Sequence, residues 1–305
     1  MFPQDTAPWY GRGRSERRLG VALSNLSRDE YKLQTKVGRF IVAGQPNDRD
    51  STGAAIVSEA GGYPFAHGTE FGVMHDYSYD AVMRQHADSL QRLGVSHVDS
   101  LVIHDLDLGY GSREQVELYL KELVGGARAL ADLRAAGTIK AFGCGCNHFD
   151  ERQQCDEFAR RVAEIADLDY FLIAGSHYTL LDQQALDVQF PIMESRDMSA
   201  IVGTPLASGR LAGAPIADEA VATKVEEIRG VCERYNADII AASLQFPLAH
   251  PRVSCIIPGG ANAEESQQNK ELVDSKLPGD LWRGLKEAGL LRSDAPTPGN
   301  TDGKL

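Results

Sequence analysis

The sequence lacks several features that mark whole classes of protein. No run of eighteen apolar residues occurs among its 305 residues, so no membrane-spanning helix is predicted. No charged segment followed by an apolar one precedes the first motif, which favours a cytoplasmic protein. No G-x-G-x-x-G segment opens a helix, which counts against a Rossmann domain. Cys144 and Cys146 alternate along one predicted strand, but no second cysteine or histidine pair has zinc spacing, so no metal is expected.

The charge balance and the cysteines exclude further classes. Asp and Glu (43) outnumber Lys and Arg (31), and the formal net charge of −12 argues against nucleic acid or an anionic membrane as a partner. The five cysteines are an odd number without the spacing of a disulfide framework, and we interpret them as buried thiols. A small molecule is therefore the expected partner, and the oligomeric state stays open.

What the sequence does contain is a regular alternation of strand-like and helix-like segments. After a short strand from Phe2, the predicted strands are 32–37, 98–104, 139–146, 169–174, 198–204 and 253–257. The predicted helices are 15–25 (capped by Ser15), 79–93, 113–136, 150–166, 183–196, 217–235, a stretch to about 250, 263–273 and 279–290. The alternation predicts a parallel sheet in one α/β domain over 1–292.

Two segments stand outside this alternation. Residues 38–72 are rich in Gly, Asp, Ser and Pro with little periodicity, and we expect this long segment to help close a substrate pocket. Residues 293–305 are rich in Pro, Gly and Asp, and we expect a disordered tail.

Four polar residues fall at or just past the carboxyl ends of predicted strands: Asp5, Tyr10, Lys36 and His104. In an α/β barrel these ends meet at one face, where catalytic groups collect. Each residue alone has a structural explanation, as a turn aspartate, a half-buried tyrosine, a surface lysine or a core histidine. Taken together they predict a proton-transfer site built around a tyrosine.

These residues stand within short motifs that follow one another in a fixed order. The motifs are Asp-Thr-Ala-Pro-Trp-Tyr-Gly at 5–11, then 15–20, 35–38, 98–99, 103–105, 143–147, 178–181, 205–209 and 257–259. With them the chain resembles the aldo-keto reductase superfamily over nearly its whole length. It is most similar to the branch that oxidises free sugars at C1, the aldose and fucose or galactose 1-dehydrogenases.

The resemblance implies a (β/α)8 barrel, which has one strand more than the sequence pattern predicts. Seven strands are predicted from Phe2 onward, and the family's first strand and helix should precede Asp5. Either the start was placed too far downstream or the chain has lost one barrel strand, and we favour the first interpretation. A seven-stranded barrel would expose two unpaired strand edges.

The resemblance also implies a role for each of the four polar residues. A free tyrosine has a pKa near 10 and is a poor base at neutral pH, but an adjacent ammonium lowers that pKa. Tyr10 would be the general acid/base, Lys36 would tune it, and Asp5 would orient Lys36. His104 would hydrogen-bond the substrate oxygen and share in the proton relay.

For the cofactor, the resemblance favours NAD over NADP. NADP-using members place Lys and Arg after the last strand to hold the 2′-phosphate, whereas Gly259 and Glu265 stand here. A carboxylate repels that phosphate and can accept a hydrogen bond from a ribose 2′-hydroxyl. The other expected cofactor contacts are Asn147 at the carboxamide, Tyr178 under the nicotinamide ring, Leu206, Ser208, Gly209 and Arg210 at the pyrophosphate, and Gln268 and Asn269 at the adenine.

The substrate is less determined by the sequence. Trp9 could form an apolar wall on which a sugar ring stacks, and Asp105 could accept hydrogen bonds from its hydroxyls. The expected reaction is oxidation of a free aldose at C1 to the lactone, and a relative that oxidises pyridoxal as its cyclic hemiacetal is a further possibility. The alternatives are an NADPH-dependent carbonyl reductase and a non-catalytic barrel.

Overall fold

The computed structural model describes residues 2–44, 48–51, 70–104, 106, 111–147, 152–175 and 177–299. The chain forms two compact units, Met1–Tyr170 and Phe171–Leu305. In both units strands alternate with helices along the chain, as the sequence pattern predicts.

The described part of the first unit holds a parallel sheet, a small mixed sheet and four α-helices. Its strands are β1 (Phe2–Asp5), β2 (Tyr31–Val37), β3 (Arg39–Val42), β4 (Asp48–Asp50), β5 (Gly72–His75), β6 (Ser100–Ile103) and β7 (Ala141–Cys146). Its helices are α1 (Arg14–Leu23), α2 (Tyr79–Leu93), α3 (Arg113–Ala135) and α4 (Arg152–Ile165). Strands β1, β2, β6 and β7 lie side by side in that order, and each adjacent pair is parallel.

The second unit continues the alternation. Strand β8 (Tyr170–Ile173) begins at the unit boundary, and β9 (Ser199–Val202) lies between β8 and β10 (Val253–Ile256). Strands β9 and β10 are parallel, with a register irregularity between Val253 and Cys255. The helices are α5 (Gln189–Ser195), α6 (Glu219–Arg234), α7 (Ile239–Leu248), α8 (Ala263–Val273) and α9 (Asp280–Glu287).

Capping side chains set where several helices begin. Ser112 and Gln115 bond reciprocally to each other's backbone N–H at the start of α3, which satisfies two donors that the first turn leaves open. Asp218 and Asp238 accept backbone N–H bonds in the first turns of α6 and α7. The predicted end of α2 is confirmed: Gly94 follows it in the left-handed conformation, with φ of 65°.

The segment after β2 contains a small sheet that the sequence pattern did not predict. Strand β5 pairs antiparallel with β3 and parallel with β4. Short strands that pair across about thirty residues leave no clear periodicity, which is why the pattern missed them. Much of 38–72, including 45–47 and 52–69, lies outside the described residues, so the expected role in closing a pocket stays a prediction.

Two helix predictions are wrong in detail. Ser15 does not cap α1: Gly13 precedes the helix, and the Ser15 hydroxyl lies 2.8 Å from that of Thr6. The predicted helix 183–196 is instead a 3₁₀ turn at Gln184–Leu186 followed by α5. Pro191 lies in the first turn of α5, where its missing N–H is tolerated, and its ring disfavours a helical backbone in the residues just before it.

The predicted disordered tail is also wrong over its first part. Ala295 and Thr297 are each only 1% exposed. The Lys286 ammonium donates to the carbonyls of Ser293 and Ala295, and Arg292 pairs with Asp187 and Asp294. These bonds hold 293–299 against the second unit despite its composition, and 300–305 lie outside the described residues.

Within the described ranges, no helix is both long enough and apolar enough to cross a membrane.

The start of β2 is tied to its neighbours by the carboxylate of Asp99. Arg28 donates to it at 2.6 Å, the Leu33 N–H at 3.0 Å and Lys140 at 3.2 Å, and Lys32 lies 3.4 Å away. Burial alone would raise the pKa of Asp99, but Arg28, Leu33 and Lys140 together hold it well below its usual range. The carboxylate is therefore a stabilising anion at the amino ends of β2 and β7.

We expect Asp99→Asn to lower the free energy of unfolding at pH 7 by about 1–3 kcal/mol, because the neighbouring cations lose their counter-charge. Since the pKa is lowered in the folded state, this stabilisation is present above the unfolded value of about 4 and is lost as the pH falls below it. Urea unfolding at neutral and acid pH measures the difference, with Asp88→Asn on an exposed position of α2 as control. A difference that is absent at pH 7, or unchanged in acid, would contradict the role given to Asp99.

Candidate active site

Asp5, Tyr10, Lys36 and His104 come together in the first unit. The Lys36 ammonium lies 2.7 Å from each carboxylate oxygen of Asp5 and 4.7 Å from the centroid of the Tyr10 ring. The His104 ring stands edge-on to the Tyr10 ring at 5.8 Å between centroids. The four side chains thus form one cluster, hereafter the tetrad.

The order and register of the parallel strands produce this cluster. Asp5 ends β1, Lys36 lies one residue before the end of β2, and His104 follows β6 directly. Strand β2 lies between β1 and β6, and all three run in the same direction, so their carboxyl ends meet. Neighbouring strands are about 5 Å apart, which brings an aspartate and a lysine on adjacent strands into contact.

The turn between β1 and α1 presents Tyr10. Its residues Gly11, Arg12 and Gly13 all have left-handed backbones, with φ of 59°, 50° and 84°. The turn is closed by bonds from the Gly13 N–H to the Pro8 carbonyl at 2.7 Å and from the Ser15 N–H to the Tyr10 carbonyl at 3.1 Å. Tyr10 is therefore held by a hydrogen-bonded turn rather than by an open loop.

Lys36 is a buried cation with a buried counter-ion. Its side chain is 2% exposed and that of Asp5 is 12% exposed. Burial alone would lower the pKa of Lys36, but the Asp5 carboxylate and the Tyr10 side chain outweigh it and raise that pKa. The Thr6 carbonyl accepts a third bond at 2.9 Å. Lys36 is thus a permanent positive charge beside the phenol.

His104 is a neutral imidazole in this setting. Burial, followed by the charges of Lys36 and Arg39 and by His75, lowers its pKa well below the usual value. Its backbone is fixed by bonds from its N–H to the Val37 carbonyl at 2.9 Å and from the Tyr77 hydroxyl to its carbonyl at 2.5 Å. A neutral imidazole can donate a hydrogen bond to a substrate oxygen without carrying a charge.

Two residues beside the tetrad, Arg39 and Tyr77, were not predicted from the sequence. Arg39 is 2% exposed, and its guanidinium lies 3.5 Å from the centroid of the Trp9 ring. Tyr77 reaches the His104 carbonyl because Gly38 has no side chain: a Cβ there would lie 2.0 Å from the Tyr77 ring. Arg39 directly follows the 35–38 motif, and that position was the one available signal.

In the second unit, the turn after β9 carries four of the predicted cofactor residues. Ala207, Ser208 and Gly209 are successive left-handed residues, with φ of 51°, 57° and 84°. The turn buries Ala207 and leaves the side chains of Ser208 and Arg210 exposed, with Leu206 half-buried. An exposed hydroxyl and guanidinium beside a glycine are suited to an anionic group such as a pyrophosphate.

The loop after β10 brings Glu265 onto the start of α8. The Glu265 carboxylate accepts from the Ala261 N–H at 2.8 Å and from the Asn262 amide at 3.0 Å, while Asn262 caps the Glu265 N–H at 2.9 Å. Asn269 is buried and donates to the Gly259 carbonyl at 3.3 Å, whereas Gln268 is exposed. A Cβ at Gly259 would meet nothing within 4 Å, so the loop leaves open space there.

The remaining predicted cofactor and substrate contacts differ in whether their side chains are accessible. Asn147 follows β7 and is half-buried, as a cofactor contact could be. Tyr178 is 0% exposed and enclosed by Phe190, Phe246 and His250 at 4.7–5.6 Å between ring centroids. As folded here its ring offers no open face to a nicotinamide, so the structure does not support that role. Asp105 lies outside the described residues.

Alternating parallel strands and helices, with a lysine–carboxylate pair beside a tyrosine at the strand ends, are typical of α/β enzymes of the barrel class. Comparison with known proteins specifies the family. Residues 4–289 match the Aldo/keto reductase family. The chain belongs to this family and is an oxidoreductase.

Two relatives are similar over most of their length. Pyridoxal 4-dehydrogenase of Microbacterium luteolum is 34% identical over 302 residues, covering 94% of this chain and 84% of that protein. D-threo-aldose 1-dehydrogenase of a Pseudomonas species is 31% identical over 306 residues, covering 96% and 84%. Among solved structures, the glycerol dehydrogenase AKR11B4 from Gluconobacter oxydans has a TM-score of 0.66 at 19% identity, covering 99% of this chain and 84% of that one. The predicted (β/α)8-type fold class is confirmed.

The Asp5–Lys36 pair makes a strong prediction for stability. Asp5→Asn leaves the Lys36 ammonium buried without its counter-charge, and we expect a loss of about 3–5 kcal/mol in the free energy of unfolding at pH 7. The double variant Asp5→Asn/Lys36→Met removes both charges and should lose less than the sum of its single variants. Urea unfolding of the four proteins gives the coupling. The surface pair Glu226–Arg229, 3.4 Å apart on α6, is the control and should couple by less than about 1 kcal/mol. If the double variant loses as much unfolding free energy as its two single variants together, the two side chains do not stabilise each other, and the role given to the ion pair would be contradicted.

Proposed function

We propose that this aldo/keto reductase oxidises a free aldose at C1 to the lactone, with NAD as hydride acceptor. The observation that carries the proposal is the buried Asp5–Lys36 pair, whose ammonium lies 4.7 Å from the Tyr10 ring, with the neutral His104 beside it. A phenol next to a permanent cation favours its ionised form and becomes a usable base.

In the proposed reaction each tetrad residue has one task. Tyr10 accepts the proton of the C1 hydroxyl, and the C1–O bond becomes the lactone carbonyl as the hydrogen on C1 leaves with its electron pair. The acceptor for that hydride would be supplied by NAD when it is bound. His104 donates a hydrogen bond to the substrate oxygen, Lys36 stabilises the Tyr10 phenolate, and Asp5 holds Lys36 in place. The substrate thus loses one proton and one hydride, which is a two-electron oxidation.

Trp9 supports a ring-shaped substrate beside the tetrad. Its ring lies 6.3 Å from that of Tyr10 and 6.1 Å from that of His104, between centroids. Arg39 covers one face of the indole, which leaves sugar stacking to the rest of its surface. Pyridoxal, taken as its cyclic hemiacetal, is the second candidate, because the 34% identical relative is named for it and the same tetrad suits both hemiacetals.

For the cofactor, the second unit supplies residues that fit a dinucleotide. Ser208 and Arg210 would hold the pyrophosphate beside Gly209, and Leu206 would add a contact. Near the adenine end, Glu265 with Gly259, Gln268 and Asn269 would hold the adenosine. No lysine or arginine occurs between Pro258 and Asn269, and Glu265 places a negative charge at the start of α8. This charge favours a ribose hydroxyl over a 2′-phosphate.

The proton-transfer role predicts that Tyr10→Phe lowers the rate of aldose oxidation by at least about 100-fold, because the substrate proton loses its acceptor. The absorbance of reduced nicotinamide, followed with NAD and a panel of free aldoses, measures the rate. Tyr79→Phe, whose hydroxyl bonds Asp132 on the surface, is the matched control and should keep the wild-type rate. Two parallel assays use pyridoxal with NAD and simple carbonyl compounds with NADPH.

These assays separate the candidate functions. If the protein oxidises pyridoxal but no aldose, the proposed substrate is wrong while the proposed role of the tetrad stands. Reduction of carbonyls by NADPH alone would support the reductase alternative. A folded protein silent in every assay, or a Tyr10→Phe variant as active as the control, would overturn the proposed chemistry.

The cofactor preference is tested at Glu265. Glu265→Gln keeps the shape and a side-chain oxygen that can accept from Ala261 but removes the charge, so we expect the NAD-to-NADP ratio of kcat/KM to fall about tenfold, or roughly 1.4 kcal/mol. Glu264→Gln removes an equal charge one residue away and should change the ratio far less. A wild-type preference for NADP, or equal effects of the two variants, would refute the role of Glu265.

A further inference from the structure

A chain of buried polar side chains continues from Asp5 into the first unit. The Gln34 amide nitrogen donates to Asp5 Oδ1 at 2.7 Å, the same oxygen that accepts from Lys36. The Gln34 carbonyl oxygen lies 3.0 Å from the Tyr170 hydroxyl and 3.3 Å from that of Ser100, and the two hydroxyls are 3.0 Å apart. We call Gln34, Ser100 and Tyr170 the polar layer.

The hydrogen-bond chemistry fixes the orientation of the Gln34 amide. An ionised carboxylate can only accept, so the end of the amide that faces Asp5 must be the NH₂ group. The carbonyl oxygen then faces two hydroxyls that can each donate to it. Every polar group of the Gln34 side chain thus has a matching neighbour, and a flipped amide would lose these matches.

The sheet register and one glycine assemble the polar layer. Gln34 is the register partner of Asp5 on β1 and of Ser100 on β6, and Lys36 lies two residues further along the same face of β2. A Cβ at Gly143 on β7 would lie 2.6 Å from the Tyr170 ring and from the Tyr170 carbonyl. The missing side chain at Gly143 therefore makes room for the Tyr170 ring.

Burial makes the polar character of this layer informative. Tyr170, Gln34 and Ser100 are 5%, 6% and 9% exposed. An apolar side chain would fill the same space without the free-energy penalty of burying an amide and two hydroxyls. The feature that an apolar side chain could not supply is the bond to Asp5 Oδ1, which restrains rotation of the carboxylate that holds Lys36.

We propose that Gln34 is a positioning residue of the tetrad, held by Tyr170 and Ser100, that fixes the Asp5 carboxylate and through it the distance between the Lys36 ammonium and Tyr10. The inference rests on the proposed function for its effect on turnover. Its effect on the ionisation of Tyr10 does not depend on any substrate.

The groups that could influence the titration of Tyr10 come from four strands and one strand end. In the described part of the chain, Asp5 lies on β1, Lys36 on β2 and His104 just past β6, with Arg39 on β3 and His75 on β5 acting on His104. The lowered pKa of His104 keeps it neutral throughout an alkaline titration, and the raised pKa of Lys36 favours its charged form. A transition in the alkaline range that disappears in Tyr10→Phe therefore reports Tyr10.

The test measures this transition as the near-ultraviolet phenolate absorbance of each protein minus that of its Tyr10→Phe counterpart. Gln34→Met keeps the length of the side chain but removes the amide, and we expect it to raise the Tyr10 transition by about one pH unit. Tyr170→Phe keeps the ring beside Gly143 and removes only its hydroxyl, and it should give a smaller shift of the same sign. Gly94→Ala, destabilised because it puts a side chain at the left-handed position that ends α2, is the control and should give no shift, since a Cβ at Gly94 meets nothing within 4 Å.

Turnover adds a second readout. If aldose oxidation follows the Tyr10 phenolate, kcat of Gln34→Met falls about tenfold at pH 7, recovers toward wild type as the pH rises through the shifted transition, and KM stays within about twofold. A purely structural defect would instead lower kcat by the same factor at every pH.

The outcomes separate the two proposals. A shifted Tyr10 transition in a protein that oxidises no aldose supports the positioning role and rejects the proposed function. An active wild type that Tyr10→Phe inactivates, with the same Tyr10 transition in Gln34→Met as in wild type, rejects the positioning role alone. A shift of equal size in Gly94→Ala also rejects it, because the effect would then reflect lost stability.

Discussion

The arrangement of the tetrad depends on one interaction, the buried ion pair between Asp5 and Lys36. A lysine side chain that is 2% exposed would ordinarily lose its proton, because burial disfavours charge. The carboxylate on the neighbouring strand reverses that tendency, and the Thr6 carbonyl accepts a further bond. The result is a fixed cation at the end of β2, against which the hydrogen-bonded turn after β1 sets Tyr10. The polar layer behind Asp5 is best understood as support for this pair.

The tetrad could be predicted from sequence because parallel strands with polar residues at their carboxyl ends bring those residues to one place. Gln34 and Tyr170 could not, since nothing in a strand's sequence marks which buried polar side chain will meet another 136 positions away. Tyr178 shows the reverse case: an aromatic residue after a strand can face a ligand or the core, and here it faces the core. The packed segment 293–299 was missed for a similar reason, because composition does not reveal the Lys286 and Arg292 bonds that hold it.

The family relationship constrains the chemistry more than the substrate. The two relatives described above are named for pyridoxal and for an aldose, yet both reactions can be written on a cyclic hemiacetal with one proton acceptor. On the proposed account, discrimination between them lies around the tetrad rather than within it. Among the described side chains, Trp9 is the best placed to discriminate between the two substrates. Its ring is stacked on the buried Arg39 and lies next to the rings of both Tyr10 and His104.

On the proposed mechanism Lys36 makes Tyr10 a usable base, and the decisive measurement is the pH dependence of aldose oxidation in wild type and in Lys36→Met. The account predicts that the rate of the variant is far below wild type at pH 7 and recovers as the pH approaches about 10, the ordinary pKa of a phenol, because hydroxide then removes the proton that the ammonium no longer helps to release. A variant whose rate is reduced by the same factor at every pH, or whose pH profile matches wild type, would contradict the claim.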